Sequence, residues 1–324
     1  MTDVRTHVLR RLGAGGTHAG ATIAGELGVS RAAVAKQVAR LRDSGWVIDT
    51  TADGYHLDPG HRPLDEPSLR LGLASIGDRI EHCEILEQVD STSDHLARST
   101  PPEAGLVQVC IAESQQAGRG RRGRAWHARP GASITFSVAA VLPLPPPALA
   151  GLSLAAGIAC AEVLSAHGID HVGVKWPNDL QVDGAKLGGL LVEISGESGG
   201  PSRVILGVGV NHHLADEIPD TGMPVTDVVR CRPDAASERT GMTVDLVVAC
   251  IRLLDRFPEE GLAGWSERWP RFDALAGRQV ELDAPGGPVR GTASGIAPDG
   301  ALRIRGPRGE QCFHSGEVSV RPVP

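Results

Sequence analysis

The hydrophobic pattern of this 324-residue chain changes period twice, and no single sheet or bundle accommodates that. Residues 1–57 repeat at helical spacing and close on a hairpin signal. Asp58-Pro59-Gly60-His61-Arg62-Pro63 then interrupts helix and strand alike, because its prolines lack amide donors and its glycine frees the backbone. Residues 64 to about 272 alternate strand-like and helix-like runs. From about Gly277 the pattern becomes short strands between Gly, Pro and Asp299-Gly300 turns. The length allows several cores, and the pattern divides the chain into 1–63, 64–272 and 273–324. The expected fold is α+β: a winged helix-turn-helix, a central mixed sheet with helices, and a small five-stranded barrel.

In the first unit Val4 to Leu12 and Thr22 to Leu27 read as helices, Gly28 breaks the chain, and Ser30 caps a third helix running to Arg42. Val34, Val38 and Leu41 form its buried stripe, leaving Arg31, Lys36, Gln37 and Arg40 on other faces. Trp46-Val47-Ile48 and Tyr55-His56-Leu57 flank Asp53-Gly54 and make a wing. The pattern fits a DNA-binding unit, with a small helical packing module as the alternative. The wing tip, Thr50-Thr51-Ala52-Asp53, has no basic residue to meet phosphate. In the second unit the expected strands are Leu106 to Ala112, Ser133 to Val141, Lys186 to Glu193 and Arg203 to Val210. The expected helices are Ala148 to His167, Val244 to Phe257 and Glu259 to Trp269. Five further strands follow: Gln279 to Asp283, Val289 to Ile296, Ala301 to Arg305, Gln311 to His314 and Val318 to Arg321.

A net charge of −7 excludes a uniformly basic nucleic-acid binder, so any DNA contact must be local. Six cysteines lie far apart with no Cys-x-x-Cys, which argues against a zinc ribbon or a disulfide framework and for a reducing cytoplasm. No resident metal site is expected. The start carries no apolar secretion segment, and the apolar run Ala148 to Ala161 is too short for a bilayer span and reads as a buried helix.

Three of the 32 basic residues are lysine, Lys36, Lys175 and Lys186, and two of them fall in the stretch Lys175-Trp176-Pro177-Asn178-Asp179 to Lys186-Leu187-Gly188-Gly189. An ammonium on a thin stem fits a slot that a guanidinium fork does not, so these positions suggest a narrow site with a charge to neutralise; chance among few lysines is the alternative. Gly118-Arg119-Gly120-Arg121-Arg122-Gly123 matches a dinucleotide fingerprint, but that motif needs a helix opening at the loop and an acid about 20 residues on. Trp126-His127-Ala128-Arg129-Pro130-Gly131 is a poor helix, and no Asp or Glu stands between Glu113 and Glu162. A Walker loop fails too, because Arg124-Ala125 stands where Lys-Ser/Thr is required. What remains is a glycine loop with Arg119, Arg121, Arg122 and Arg124. Unpaired, these should repel one another into disorder and become ordered around a multiply charged anion. An ordinary solvated basic loop is the alternative. Gln115 and Gln116 offer amides to a neutral polar ligand such as a urea.

Taken together, Glu113-Ser114-Gln115-Gln116-Ala117 leading into the Arg loop, Lys175-Trp176-Pro177-Asn178-Asp179-Leu180, and Lys186-Leu187-Gly188-Gly189-Leu190-Leu191-Val192-Glu193 make the chain resemble the biotin–protein ligases. With its winged helix it is similar to the bifunctional bacterial form that also represses the biotin operon. The likeness covers essentially the whole chain and implies an SH3-like C-terminal barrel. It implies biotin contacts from Ser91, Thr92, Ser93, Gln115, Arg119, Gly120, Arg121 and Lys186; Ser93 stands where the family usually has Asn. It implies adenylate contacts from Arg119, Arg121, Arg124, Lys175, Asn178, Asp179 and Asn211, with Lys186 and Arg121 catalytic, and DNA contacts from Arg31, Lys36, Gln37 and Arg40. A loop from about Asp216 to Thr240 would fold over adenine. Gly188 replaces a common Ala, a mild change on sequence grounds. Asp179 either orients a cation or a metal-bound water, or caps the Trp176-Pro177-Asn178 turn.

The implied substrates are biotin and ATP with its Mg²⁺, and the implied acceptor is a lysine of a biotin carboxyl carrier protein. The resemblance further implies operator DNA and a homodimer when adenylate is bound, with no membrane partner. Three rivals remain open from the sequence: a ligase whose winged helix no longer regulates, a non-enzymatic repressor sensing a small anion, and a lipoate-type ligase.

Overall fold

The structure is a computed structural model describing residues 4–214, 223–284, 287–314 and 319–322. Its first unit packs α1 (Val4–Gly13), α2 (Gly20–Leu27) and α3 (Arg31–Asp43) with three short strands, β1 (Thr17–His18), β2 (Ile48–Thr51) and β3 (Gly54–Leu57). Gly28 ends α2 in the left-handed region at φ 63°, and the Ser30 hydroxyl caps α3 by accepting the Ala33 amide at 3.1 Å. Val34, Val38 and Leu41 enter a core of this unit's own, with Trp46, Ile48 and Leu57. The first wing strand begins at Ile48, so Trp46 serves the core and precedes the wing. Arg42 donates to Ile48 O and Thr50 Oγ1, both at 2.7 Å, and so ties α3 to the wing.

After α4 (Glu66–Leu73) comes a mixed sheet built from β4 (Ile80–Val89), β5 (Val107–Arg119), β6 (Ala125–Ala128), β7 (Ser133–Leu142), β8 (Val172–Lys175), β9 (Asp179–Val182), β10 (Ala185–Gly196) and β11 (Ser202–Asn211). Its order is β4-β5-β7-β11-β10-β9-β8, with β6 pairing β5; β4 and β5 run parallel and the other pairs antiparallel. The helices are α5 (Thr92–Arg98), α6 (Leu152–Ala166), the short α7 (Val228–Cys231), and α8 (Arg239–Glu260), followed by α9 (Ala263–Ser266) and α10 (Trp269–Phe272).

Side-chain alternation sets the two faces of this sheet. Ile134, Phe136, Val138 and Ala140 of β7, with Val204, Leu206, Val208 and Val210 of β11, join the large core with α6 and α8. Each such side chain contributes about 1.5–3 kcal/mol on burial. The opposite parity holds Thr135, Ser137 and Ala139 and, paired beside them, Ile205, Gly207 and Gly209. There α5 covers one end through Leu96, Cys110, Ala139 and Ile205, and the remainder is lined by small and polar residues.

Several sequence expectations need correction. The helix expected from Ala148 starts at Leu152, because prolines 145–147 and Gly151 (φ 82°) shape a separate 3₁₀ turn first. By length and composition Pro146–Ala166 could cross a membrane, but it is packed here as a core helix against α8 and the sheet. The helix expected over Glu259 to Trp269 is not continuous. The preceding helix runs on to Glu260, Gly261 at φ 54° stops it, and two four-residue helices follow. Strands β4, β6, β8 and β9 and helices α4 and α5 went unread because they are short, or polar and half-exposed.

The C-terminal strands β12 (Gln279–Ala284), β13 (Gly287–Ile296), β14 (Leu302–Gly306), β15 (Gly309–Phe313) and β16 (Ser319–Pro322) form an antiparallel sheet in the order β15-β14-β13-β12-β16. Val280, Leu282, Ala293, Leu302 and Ile304 continue the core of the central unit. Trp176 pins the two together, its indole donating to Gly300 O at 2.9 Å.

Candidate functional site

The small, polar face of the central sheet floors a cavity of about 780 Å³. All thirteen residues that the resemblance assigned to biotin or adenylate line this one cavity; the four assigned to DNA lie apart on α3. At its inner end Ser91 caps α5, accepting the Asp94 amide at 3.4 Å. Gln115 of β5 has its side-chain oxygen held by Thr92 N–H at 2.7 Å and Thr92 Oγ1 at 3.1 Å. The Gln115 amide is therefore oriented with its NH₂ left to donate. The hydroxyls of Thr92 and Ser93 lie 2.7 and 3.0 Å from Ser137 Oγ. Ser93 thus belongs to a connected hydroxyl network although it departs from the family residue. The sequence reading missed Ser137; the parity of β7 marks it as facing the same side as Thr135.

Glycines make the room. A Cβ at Gly209 would stand 2.4 Å from the Trp126 ring, and one at Gly207 2.7 Å from Ser93 Oγ. The Trp126 indole, also missed, therefore lies flat over β11. Its buried N–H has no hydrogen-bond partner among the described residues, which leaves a donor at the cavity wall. Gly188 is not the mild change it seemed. A Cβ there would meet Gly209 O at 2.5 Å, so β10 sits too close to β11 for alanine without a backbone shift.

The outer end is cationic. Lys186 follows Ala185 at the start of β10, beside a bulge that offsets it from β9. Its Nζ donates to Asp179 Oδ1 at 2.8 Å, both side chains being mostly shielded from solvent. Of the roles left open for Asp179, this contact favours orienting a cation. Arg121 Nη1 donates to Asn178 Oδ1 at 3.3 Å, and Asn178 is fixed in turn by donating to Leu190 O at 2.7 Å. Burial pushes the Arg121 pKa down, and the neighbouring Arg122 and Arg124 push the same way. Lys175 is buried in the wall. Asn211 Nδ2 donates to Thr226 O at 3.0 Å, while Thr226 N–H and Pro224 O pair with the Lys186 backbone. Residues 224–226 are thereby laced to β10 and the end of β11. Of the loop assigned to adenine, residues 216–222 lie outside the described residues.

Arg119 departs from expectation. Its guanidinium pairs with Asp94 and with Glu193, at 2.9 Å to the latter. Within the Arg loop, then, Arg119 is paired, while Arg122 and Arg124 still repel Arg121. The loop forms a short turn closed by Gly120 N–H to Arg124 O at 2.7 Å. Arg119 therefore brings no surplus charge for an anion; its guanidinium braces Asp94 and Glu193. Lys186 and Arg121, both at least half-buried, line the cavity with their charges held by Asp179 and Asn178.

On α3, Arg31, Lys36 and Arg40 are exposed, with Gln37 half-buried. Ala32, Ala35 and Ala39 are exposed between them, so a partner surface can approach the helix closely.

Family models match the HTH domain over residues 4–56, the Biotin/lipoate A/B protein ligase family over 85–211 and the Biotin protein ligase C terminal domain over 276–321. The chain is 33% identical over 324 residues to the bifunctional ligase/repressor BirA of Salmonella typhimurium, covering 99% of this chain and 98% of that one. It is 36% identical over 260 residues to the biotin--[acetyl-CoA-carboxylase] ligase of Mycobacterium tuberculosis, covering 74% and 89%. The solved biotin protein ligase from Aquifex aeolicus in complex with biotin and ATP superposes with a TM-score of 0.62 at 25% identity, covering 75% of this chain and 100% of that chain.

Proposed function

The chain belongs to the bifunctional biotin ligase/repressor family, and from that premise we propose that it joins biotin to ATP and then to a lysine of a carrier protein. The observation that carries this reading is the pairing, in one cavity, of a polar inner end built on Gln115 with an outer end holding Lys186 and Arg121. The inner end suits a neutral ureido ring; the outer end suits two anions brought together.

The first step moves a biotin carboxylate oxygen onto the α-phosphorus of ATP and expels pyrophosphate. Both reactants are anionic, so the barrier is largely repulsion and developing phosphoryl charge. Lys186, held by Asp179, and Arg121, held by Asn178, are preorganised against that charge; each such donor is typically worth about 2.7–4 kcal/mol. Mg²⁺ enters with ATP. In the second step the acceptor lysine amine attacks the acyl carbon of biotinyl-5′-AMP, AMP leaves, and the amine proton is released. Ser91, Thr92, Ser93, Gln115 and the backbone at Arg119 and Gly120 bind biotin. Lys175, Asn178, Asp179, Asn211 and Arg124 bound the adenylate, Asp179 by aiming Lys186.

We further place the protein in the cytoplasm, a reading supported by six cysteines that are all free, including Cys160 and Cys250 with sulfurs 4.0 Å apart. Operator DNA is contacted by Arg31, Lys36, Gln37 and Arg40, while the wing, whose tip holds Asp53, contributes little charge attraction. Adenylate-bound chains pair as homodimers. Beyond Leu190, β10 has no strand on its outer side among the described residues, and Ile194 is exposed there, which supports edge pairing. Units at 1–63, 64–272 and 273–324 serve DNA, catalysis and the C-terminal sheet.

The deciding experiment incubates the protein with a biotin-acceptor domain, biotin and MgATP and weighs the product. A mass gain of one biotinyl group, dependent on ATP, is expected; an unmodified acceptor refutes the reading. Gel shift of a biotin-gene promoter with and without biotinyl-5′-AMP separates a working repressor from a ligase whose winged helix is silent.

A further inference from the structure

Where the linker leaves the winged helix it meets the end of β11. Three potential metal ligands converge there, outside the cavity: Asp58, His61 and His213. Asp58 Oδ1 lies 3.4 Å from His61 Nδ1 and 3.7 Å from His213 Nδ1, and the three donor atoms all fall within 4.8 Å of one another. A tetrahedral ion with bonds of about 2.0–2.1 Å needs donors roughly 3.3–3.5 Å apart. Both Nδ1 atoms are buried, their close polar neighbour is the one Asp58 oxygen that they share, and neither makes a well-formed hydrogen bond among the described residues; His61 as a whole is only 4% exposed. Two buried nitrogens that share one carboxylate oxygen without good hydrogen-bond geometry are poorly satisfied. The two rings lie 4.8 Å apart at their centroids, tilted rather than stacked.

We propose that Asp58, His61 and His213 bind one divalent cation of the zinc class, which clamps the linker to the end of β11. Two imidazoles and a carboxylate suit that class, and three protein ligands leave one position for water at the partly exposed His213. The Asp58 carboxylate is already oriented by the Gly60 amide, which donates to Oδ1 at 2.7 Å. Burial lowers the pKa of His61, and Asp58 opposes that shift; His213 and Arg239 add to it. Arg239 is the cation facing the cluster, and its charge is taken up by an ion pair with Glu113. The ion joins residues 58 and 61 of the linker to residue 213, two positions beyond the cavity residue Asn211. This inference is independent of the ligase reading.

The test titrates Co²⁺ into untagged, chelator-stripped full-length protein without nucleotide, following visible absorption, then displaces it with Zn²⁺. One site per chain with a tetrahedral-type spectrum is expected. Asp58→Asn keeps an oxygen for the Gly60 amide and removes the charge; it and His213→Gln should each weaken binding by about 10-fold or more. Should His213→Gln fail to fold, Asp58→Asn carries the comparison alone. Hydrogen exchange across residues 58–64 should slow with Zn²⁺ in the wild type and not in Asp58→Asn. Absence of a site, or equal affinity in wild type and Asp58→Asn, overturns the proposal. Binding without slowed exchange overturns the clamp.

Discussion

The central cavity and the recognition helix both present cations, but they hold them in opposite ways. Around the cavity three of the assigned cations have specific partners: Lys186 has Asp179, Arg121 has Asn178, and Arg119 has Asp94 and Glu193. Behind them Arg239 and Glu113 form a pair that is almost wholly buried, and Glu113 also accepts the Leu64 amide while Arg239 donates to Arg62 O. On α3 the cations assigned to DNA, Arg31, Lys36 and Arg40, stand in solvent among alanines. Partnered, desolvated charge fixes position and gives large effects on removal. Solvated charge attracts without fixing and is screened by salt. A phosphoryl-transfer site demands the first arrangement, and a surface that slides along DNA tolerates the second.

The largest effect should come from the most buried pair. Glu113→Gln leaves Arg239 charged and uncompensated against the linker, and about 3–5 kcal/mol of unfolding free energy should be lost. Urea unfolding followed by circular dichroism measures it. A loss below 1 kcal/mol would mean that the interior cations are as loosely held as those on α3, and the contrast would fail. Next comes Lys186→Arg, which keeps the charge but offers a fork to a position shaped by Asp179 and the close backbone of β10 and β11. Pyrophosphate release should fall by about 10²–10³. Full activity would show that charge alone, and not its placement, serves this site.

How much of this was legible follows the same division. The winged helix could be read almost residue by residue, because local signals suffice: Gly28 to stop α2, Ser30 to cap α3, and Val34, Val38 and Leu41 to orient it. The cavity residues were recovered through motif likeness, and the alternation along β11 correctly gave its buried face. What escaped depends on contacts remote in sequence. Nothing near Ser137 announces that it meets Thr92 and Ser93, 45 and 44 positions away. Nothing near Arg119 announces Glu193, and so an arginine expected to be unpaired proved to be paired. Gly188 looked interchangeable with alanine because sequence does not measure the gap to Gly209 O. Asp58, His61 and His213 were passed over as linker and strand end, since 152 positions separate the two histidines.

One methyl group tests the contrast at smaller scale. Gly188→Ala forces a Cβ onto the Gly209 carbonyl and should cost about 1–3 kcal/mol, with weaker biotin binding as β11 shifts. Gly25→Ala adds the same methyl to α2, where nothing lies within 4 Å. It should stabilise by about 0.4–1 kcal/mol through reduced unfolded-state entropy and better helix propensity. Thermal unfolding of the two variants side by side checks the signs, and a matching sign would show that the tight β10–β11 spacing has no consequence.

The smallest effect belongs to a single solvated cation. Arg40→Ala on α3 removes one charge from a face that also carries Arg31 and Lys36. If Arg40 neutralises a phosphate, the slope of log K against log salt should fall by about 0.9. Weakening should then be nearly uniform across DNA sequences. Fluorescence anisotropy with operator and scrambled duplexes at several salt concentrations separates this from base reading. A loss confined to the operator would mean that Arg40 is held in a fixed geometry on DNA. The recognition helix would then use its cations as the cavity does, and the distinction between the two regions would hold only for the free protein.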